Sequence, residues 1–232
     1  FRHFSVEDGL SSNSVRAIMQ DKYGFLWIGT EEGLNRYDGI MIKSYSICPQ
    51  AAGKYISSLY GTKKNIWIGT DEGIYIYAYA TETFTYFDLT TPNNVRITSI
   101  VNHILQDKDG NLWFSTNGQG LFRYNLSKNY LEQYEFTSAF GIVASTMADS
   151  DNQIWALTNQ GESGVYKLNK AENKFEPFGL LYNAGNHHSQ ALAMLEDSEQ
   201  TLWLGTWECG LQKIDKYTRQ TTTYLHPTDG KG

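Results

Sequence analysis

Three sets of side chains in this 232-residue sequence have types and spacings that could carry chemistry. Adjacent carboxylates stand at Glu31-Glu32 and Asp71-Glu72. Glycoside hydrolysis needs two carboxyls at a defined separation, and in a turn such a pair also reads simply as solvated charge. His187-His188 is the one paired histidine. Neighbours in an extended chain point to opposite faces, so the pair makes a poor chelate and a polar loop is the plainer reading. The third set can bind sugars: an exposed indole stacks on the apolar face of a pyranose while amides, carboxylates and guanidinium groups bond its hydroxyls. That set is Trp207, Glu208, Asn117, Gln119, Asn159, Gln160, Glu162, Asn186, His187 and Arg96. The alternative for Trp207 is packing on a neighbouring element, and for each polar residue a solvated turn. Asp8-Gly9 and Asp109-Gly110 read as turns, with no Asp-rich calcium loop around them. No nucleophile elbow, phosphate loop or metal-ligand spacing appears, so no catalytic residue, metal or cofactor is expected.

The elements that would position these groups come from repetition. Tryptophans at 27, 67, 113, 155 and 203 are spaced by 40, 46, 42 and 48 residues. Each sits in a variant of one phrase: Leu26-Trp27-Ile28-Gly29-Thr30 returns as Ile66 to Thr70, Leu112 to Thr116, Ile154 to Thr158 and Leu202 to Thr206, and threonine follows tryptophan by three positions all five times. Each repeat reads as four short strands. The first is apolar, as in Val15 to Met19, Ile97 to Leu105 and Ala191 to Leu195. An Asp-x-x-Gly turn follows, as in Asp21-Lys22-Tyr23-Gly24, where Asp bonds its own backbone and Gly supplies positive φ. The tryptophan phrase is the second strand. A second turn ends in glycine, a third strand follows, as in Leu34-Asn35-Arg36-Tyr37, and a Thr- and aromatic-rich fourth closes the unit, as in Thr221 to Leu225.

Four strands in 40–48 residues predict an all-β chain of five β-propeller blades. An open β-solenoid or a sandwich is the rival arrangement. One blade has two apolar faces, and stacking on neighbours buries both. The repeats run approximately 6–47, 54–89, 95–136, 140–179 and 188–226. Residues 1–5 read as a spare outer strand of a blade that the chain does not hold, so an excerpt of a larger ring is expected. The turn after the phrase varies in length: glycine follows threonine by three, three, four, six and four positions. Insertions on one face of a repeat protein mark a binding face, and the links between repeats emerge on that same face.

Composition agrees. Aromatics make up 14% of residues and charged residues 19%, with 21 glycines, as expected of short strands joined by tight turns. Nineteen basic against 25 acidic residues leave a net charge of −6, which argues against nucleic-acid binding. No apolar run approaches the length of a membrane span. Phe1 to Ser5 do not read as a signal peptide, so any targeting segment is expected to be removed or to lie outside these residues. Cys48 and Cys209 are too few for a disulfide framework or a cysteine zinc site.

The segments Gly9-Leu10-Ser11-Ser12-Asn13-Ser14-Val15, Asp21 to Thr30 and Gly33-Leu34-Asn35-Arg36-Tyr37-Asp38-Gly39 resemble the two-component regulator propeller repeat. Repeat two departs from it with Gly61 in place of the turn aspartate, and repeat four with Leu157 and a longer second turn. The resemblance implies the periplasmic N-terminal sensor region of a hybrid two-component system, and with it a larger, seven-bladed propeller of which these blades are part. Its implied ligand is an oligosaccharide from polysaccharide breakdown, and a membrane span, histidine kinase and transcription-regulating domains lie elsewhere in the parent. Missing blades and downstream sensor domains are the implied partners, with self-association through open blade edges. The alternatives are a propeller lyase or glycosidase, and a protein-interaction scaffold.

Overall fold

Short alternating segments bounded by Asp-x-x-Gly and Gly turns form five antiparallel sheets in the computed structural model, which describes residues 3–47, 54–136, 141–158, 164–180, 191–207 and 210–224. Blade one is β1 (Val15–Gln20), β2 (Leu26–Thr30), β3 (Gly33–Tyr37) and β4 (Ile42–Tyr45). Blade two is β5 (Ile56–Gly61), β6 (Asn65–Thr70), β7 (Gly73–Ala78) and β8 (Thr83–Tyr86). Blade three is β9 (Val101–Gln106), β10 (Leu112–Thr116), β11 (Leu121–Asn125) and β12 (Tyr130–Tyr134). Blade four is β13 (Val143–Ala148), β14 (Ile154–Thr158), β15 (Gly164–Asn169) and β16 (Lys174–Leu180). Blade five is β17 (Ala191–Glu196), β18 (Thr201–Thr206), β19 (Leu211–Asp215) and β20 (Thr221–Tyr224). Every sheet keeps its strands in chain order. The chain divides into two compact units, Phe1–Ile104 and Leu105–Gly232.

Each position of the repeated phrase has a distinct physical task. The tryptophan indole donates its N–H to the turn aspartate six residues earlier: Trp27 to Asp21 at 2.7 Å, Trp113 to Asp107 at 2.8 Å, Trp155 to Asp149 at 3.0 Å and Trp203 to Asp197 at 2.7 Å. The other carboxylate oxygen accepts backbone amides of the same turn, as Asp21 does from Tyr23 and Phe25. Blade two lacks this clasp because Gly61 stands there; a Cβ at Gly61 would lie 2.9 Å from the Met19 sulfur. Each indole also meets an aromatic ring of the fourth strand or just beyond it: Tyr45, Phe87, Tyr134, Phe178 and Tyr224, with centroids 4.8–5.8 Å apart. The threonine hydroxyl closes the second turn. Thr30, Thr70, Thr116 and Thr206 donate to the carbonyls of Gly33, Gly73, Gly120 and Gly210, and Thr158 accepts the amide of Gly164.

The residue two after tryptophan meets the innermost strand of the next blade. A Cβ on Gly29 would lie 2.5 Å from Ile56 Cγ2, and one on Gly69 would enter the shell of Ser58 Oγ and sit 2.9 Å from the Val101 carbonyl oxygen. Gly205 in blade five has open space there. The rest of that face is uncovered too: Leu211 is 43% exposed, whereas Leu34 and Leu121 at the same register are 0% exposed. Gly69→Ala is therefore expected to destabilise by about 1–3 kcal/mol through overpacking. Gly205→Ala is expected to be neutral or stabilising by up to about 1 kcal/mol, since alanine loses less backbone freedom in a strand. Urea unfolding midpoints of the two variants check this difference.

One boundary differs from the sequence reading. The first strand of blade three begins at Val101, not Ile97, because Thr90 and Arg96 pair in an isolated bridge and the chain turns before the sheet. Residues 3–5 lie in no strand of the five sheets. Ser5 instead caps a 3-10 turn, Val6–Asp8, and Phe4 packs on Tyr37 at 4.8 Å.

Candidate functional site

The varying second turns and the links between blades emerge at one end of each sheet, since strand direction alternates within a blade. Of the ten sugar-binding candidates, Glu208, Asn159, Gln160, Glu162, Asn186 and His187 lie outside the described residues, as do Cys48 and Cys209. Trp207 follows β18 and is 72% exposed. Asn117 and Gln119 share the second turn of blade three. There Asn117 bridges to Ile142, and the Gly118 and Gly120 amides both donate to the Gly141 carbonyl, which anchors the longer turn. The Gln119 carbonyl accepts from Gln133 Nε2 at 2.9 Å. Arg96 belongs to the other unit and pairs with Asp88 at 2.9 Å. The carboxylate pairs are held as turn residues: Glu31 pairs with Arg16, and Glu72 with Lys54.

The opposite end of the blades holds a feature that the sequence reading passed over. A cleft of about 230 Å³ opens between blades one and two, near the Asp21 turn. Trp27 and Tyr77 in it are buried, and Tyr23 and Tyr79 meet edge to face at 5.4 Å. Arg36 enters from β3, its guanidinium stacked over Phe25 at 4.5 Å and Trp27 at 5.8 Å. Lys22 Nζ lies 4.7 Å from the centroids of both Tyr23 and Tyr79 and donates to the Lys63 carbonyl at 2.7 Å. Glu82 completes the lining. Burial pushes the Tyr79 hydroxyl pKa up to about 12, helped by the charge of Asp21, so it stays a protonated donor at neutral pH. Aromatic faces with an arginine, a tyrosine hydroxyl and a carboxylate can hold a polar ring. The sequence carried part of the signal, an arginine at the same place in two third strands, Asn35-Arg36-Tyr37 and Phe122-Arg123-Tyr124.

Residues 9–32 and 94–118 match the two-component regulator propeller family. Fifty residues are 50% identical to Histidine kinase P4 of Formosa agariphila, a span that is 22% of this chain and 4% of that protein. The extracellular domain assigned to a hybrid two-component system of B. thetaiotaomicron superimposes with a TM-score of 0.79 at 26% identity, covering 95% of this chain and 31% of that one. Virginiamycin B lyase from Staphylococcus aureus shares the fold, with a TM-score of 0.69 at 16% identity over 93% of this chain and 71% of that one. The chain thus spans about a third of the extracellular domain it is similar to, and a small fraction of the kinase. Among the described residues no helix is long and apolar enough to cross a membrane. The repeated phrase, the five four-stranded sheets and these matches lead to one assignment: the chain folds as propeller blades and carries two-component regulator propeller repeats at residues 9–32 and 94–118.

Proposed function

We propose that the chain is part of the extracytoplasmic, ligand-sensing propeller of a hybrid two-component receptor, and that its ligand is an oligosaccharide released during polysaccharide breakdown. The observation that carries this reading is the family match at two separate blades, joined to the 26% identity with an extracellular two-component domain over nearly the whole chain. In this reading the module lies in the periplasm, and a histidine kinase and transcription-regulating output lie elsewhere in the parent protein. The chain itself performs no catalysis; the lyase likeness, at 16% identity, speaks to fold alone. Bound saccharide acts by favouring one arrangement of the receptor, and only by its differential affinity for that arrangement. Blades clasped by tryptophan and aspartate suit rigid-body movement better than deformation. The uncovered face of blade five is the proposed seat of further blades of the parent, or of self-association where those are missing.

The test is calorimetric titration of the complete sensor region with oligosaccharide fragments of different composition. Saturable heat with at least one fragment is expected. Trp207→Ala is expected to weaken that binding about tenfold or more if the indole stacks on the sugar, within the range for a central aromatic anchor. Absence of binding across neutral and acidic fragments would sink the saccharide reading.

A further inference from the structure

The cleft between blades one and two contains two buried polar groups without a hydrogen bond among the described residues, Arg36 Nε and the Tyr79 hydroxyl. Blade three shows what completes such an arginine. Arg123 there holds the position of Arg36: each is the cross-strand neighbour of its blade's tryptophan, and each stacks over that indole, at 5.6 and 5.8 Å. Arg123 then donates to Glu132, its neighbour on β12, at 2.5 Å. The matching neighbour of Arg36 on β4 is Lys43, a second cation. Both cations lie over one ring, with Arg36 5.5 Å and Lys43 4.9 Å from the Tyr45 centroid. Among the described residues, no carboxylate forms an ion pair with Arg36. Asp21, which also lines the cleft, is engaged by the Trp27 indole and by two turn amides.

We propose that this cleft binds a uronate residue of a saccharide, whose carboxylate takes the place beside Arg36 that Glu132 takes beside Arg123. The proposal rests on the saccharide reading above and deepens it. Arg36, its Nε without a hydrogen bond and with Lys43 rather than a carboxylate as its neighbour on β4, favours an anion at this point, because a charge-assisted, bidentate carboxylate is what a guanidinium fork matches. The rest of the lining favours a sugar over a flat aromatic acid. The exposed Glu82 carboxylate can accept from ring hydroxyls, and the Tyr79 hydroxyl can donate to a ring or carboxylate oxygen. The volume, about 230 Å³, falls below the roughly 300–1,000 Å³ of pockets that enclose drug-sized ligands, so it admits one ring.

The register supplies its own test. Lys43→Glu places in blade one the carboxylate that blade three already has, so Arg36 is satisfied internally and the site is closed without emptying the core. Ligand-observed NMR titrations with D-glucuronate, D-glucose and glucose 6-sulfate are compared for the unaltered chain, Lys43→Glu, Lys43→Gln and Tyr79→Phe, each with a melting curve. Saturable glucuronate binding is expected, with glucose weaker by about tenfold or more, the scale of losing a charge-assisted bond. Lys43→Glu is expected to abolish glucuronate binding while melting at or above the unaltered chain. Lys43→Gln is expected to keep binding within about threefold, because it removes a charge without filling the site, and Tyr79→Phe to weaken it. Glucuronate binding that survives Lys43→Glu overturns the proposal, as does glucose binding equal to glucuronate, or no glucuronate binding at all. Tighter binding of glucose 6-sulfate, lost in Lys43→Glu, overturns the carboxylate in favour of a sulfate ester. If the complete sensor region binds neutral oligosaccharides and Lys43→Glu leaves that unchanged, the sensing reading stands and the uronate cleft falls.

Discussion

Lys216→Ala is expected to destabilise the Leu105–Gly232 unit by about 3–5 kcal/mol, the range for removing one partner of a buried ion cluster. The Lys216 side chain is 3% exposed and its Nζ reaches Glu196 at 2.7 Å, Asp151 at 2.9 Å and Asp149 at 3.3 Å. Asp149 and Glu196 are themselves buried, and Glu196 also accepts the Ser150 amide at 2.6 Å. Asp149 further clasps the Trp155 indole. Alanine leaves two buried carboxylates facing each other without a cation, and it loosens the turn that holds Trp155. Equilibrium urea unfolding with a fluorescence readout measures the loss.

The same cluster sets a pH signature. Burial acts to lower the Lys216 pKa, but the bonds its ammonium donates to Glu196 and Asp151 and the charge of Asp149 outweigh it, so the ammonium pKa is raised. A raised lysine contributes stability that is full below its unfolded value, about 10.4, and is lost as pH climbs through the folded value. Asp151 is lowered, chiefly by its bond from Lys216. Its contribution is full above the unfolded value, about 3.9, and is lost as pH falls through the folded one. The unaltered chain is therefore expected to hold its stability from about pH 5 to 10 and to lose it at both ends. Lys216→Ala is expected to lose the alkaline limb.

Trp113→Ala is expected to cost about 3–5 kcal/mol, as large-to-small changes of core aromatics do. The ring is 1% exposed, lies 5.6 Å from Tyr134 and 6.1 Å edge-on to Phe175, and carries Arg123 over its face. Asp107→Ala is expected to cost about 1–3 kcal/mol by leaving the indole N–H and the Asn111 amide unbonded. The two losses should not add, because both variants break one clasp. Trp207→Ala serves as the contrast: at 72% exposed, it is expected to change stability by no more than about 0.5 kcal/mol. Chemical unfolding of the four proteins checks the order, and a Trp207→Ala loss as large as that of Trp113→Ala would make Trp207 a packing residue and remove it from the sugar-binding set.

Much of the blade was legible because its signals are local. The clasp between Asp21 and Trp27 spans six residues, and the cap between Thr30 and Gly33 spans three. Alternation over five or six residues marked most strands, and where it failed, at Ile97, an isolated bridge between Thr90 and Arg96 had intervened. The loop-face candidates were chosen by composition and turn length, which place a residue on a face without saying what it touches. Arg96 shows the difference: it is tied to Asp88 in one unit, while Asn117, Gln119 and Trp207 belong to the other.

The sequence by itself determined the repeat, the four strands of each blade and the turn chemistry, because each depends on residues within about one blade of one another. Only the tertiary structure decided which groups meet. Lys216 finds Asp149 across 67 positions, and Arg36 comes to share a cleft with Tyr79 of the next blade. Five nearly identical phrases hid the distinction between Arg36 and Arg123. A carboxylate or a lysine one strand away separates a satisfied core arginine from an open one, and cross-strand register, which pairing in the folded sheet sets, makes those residues neighbours.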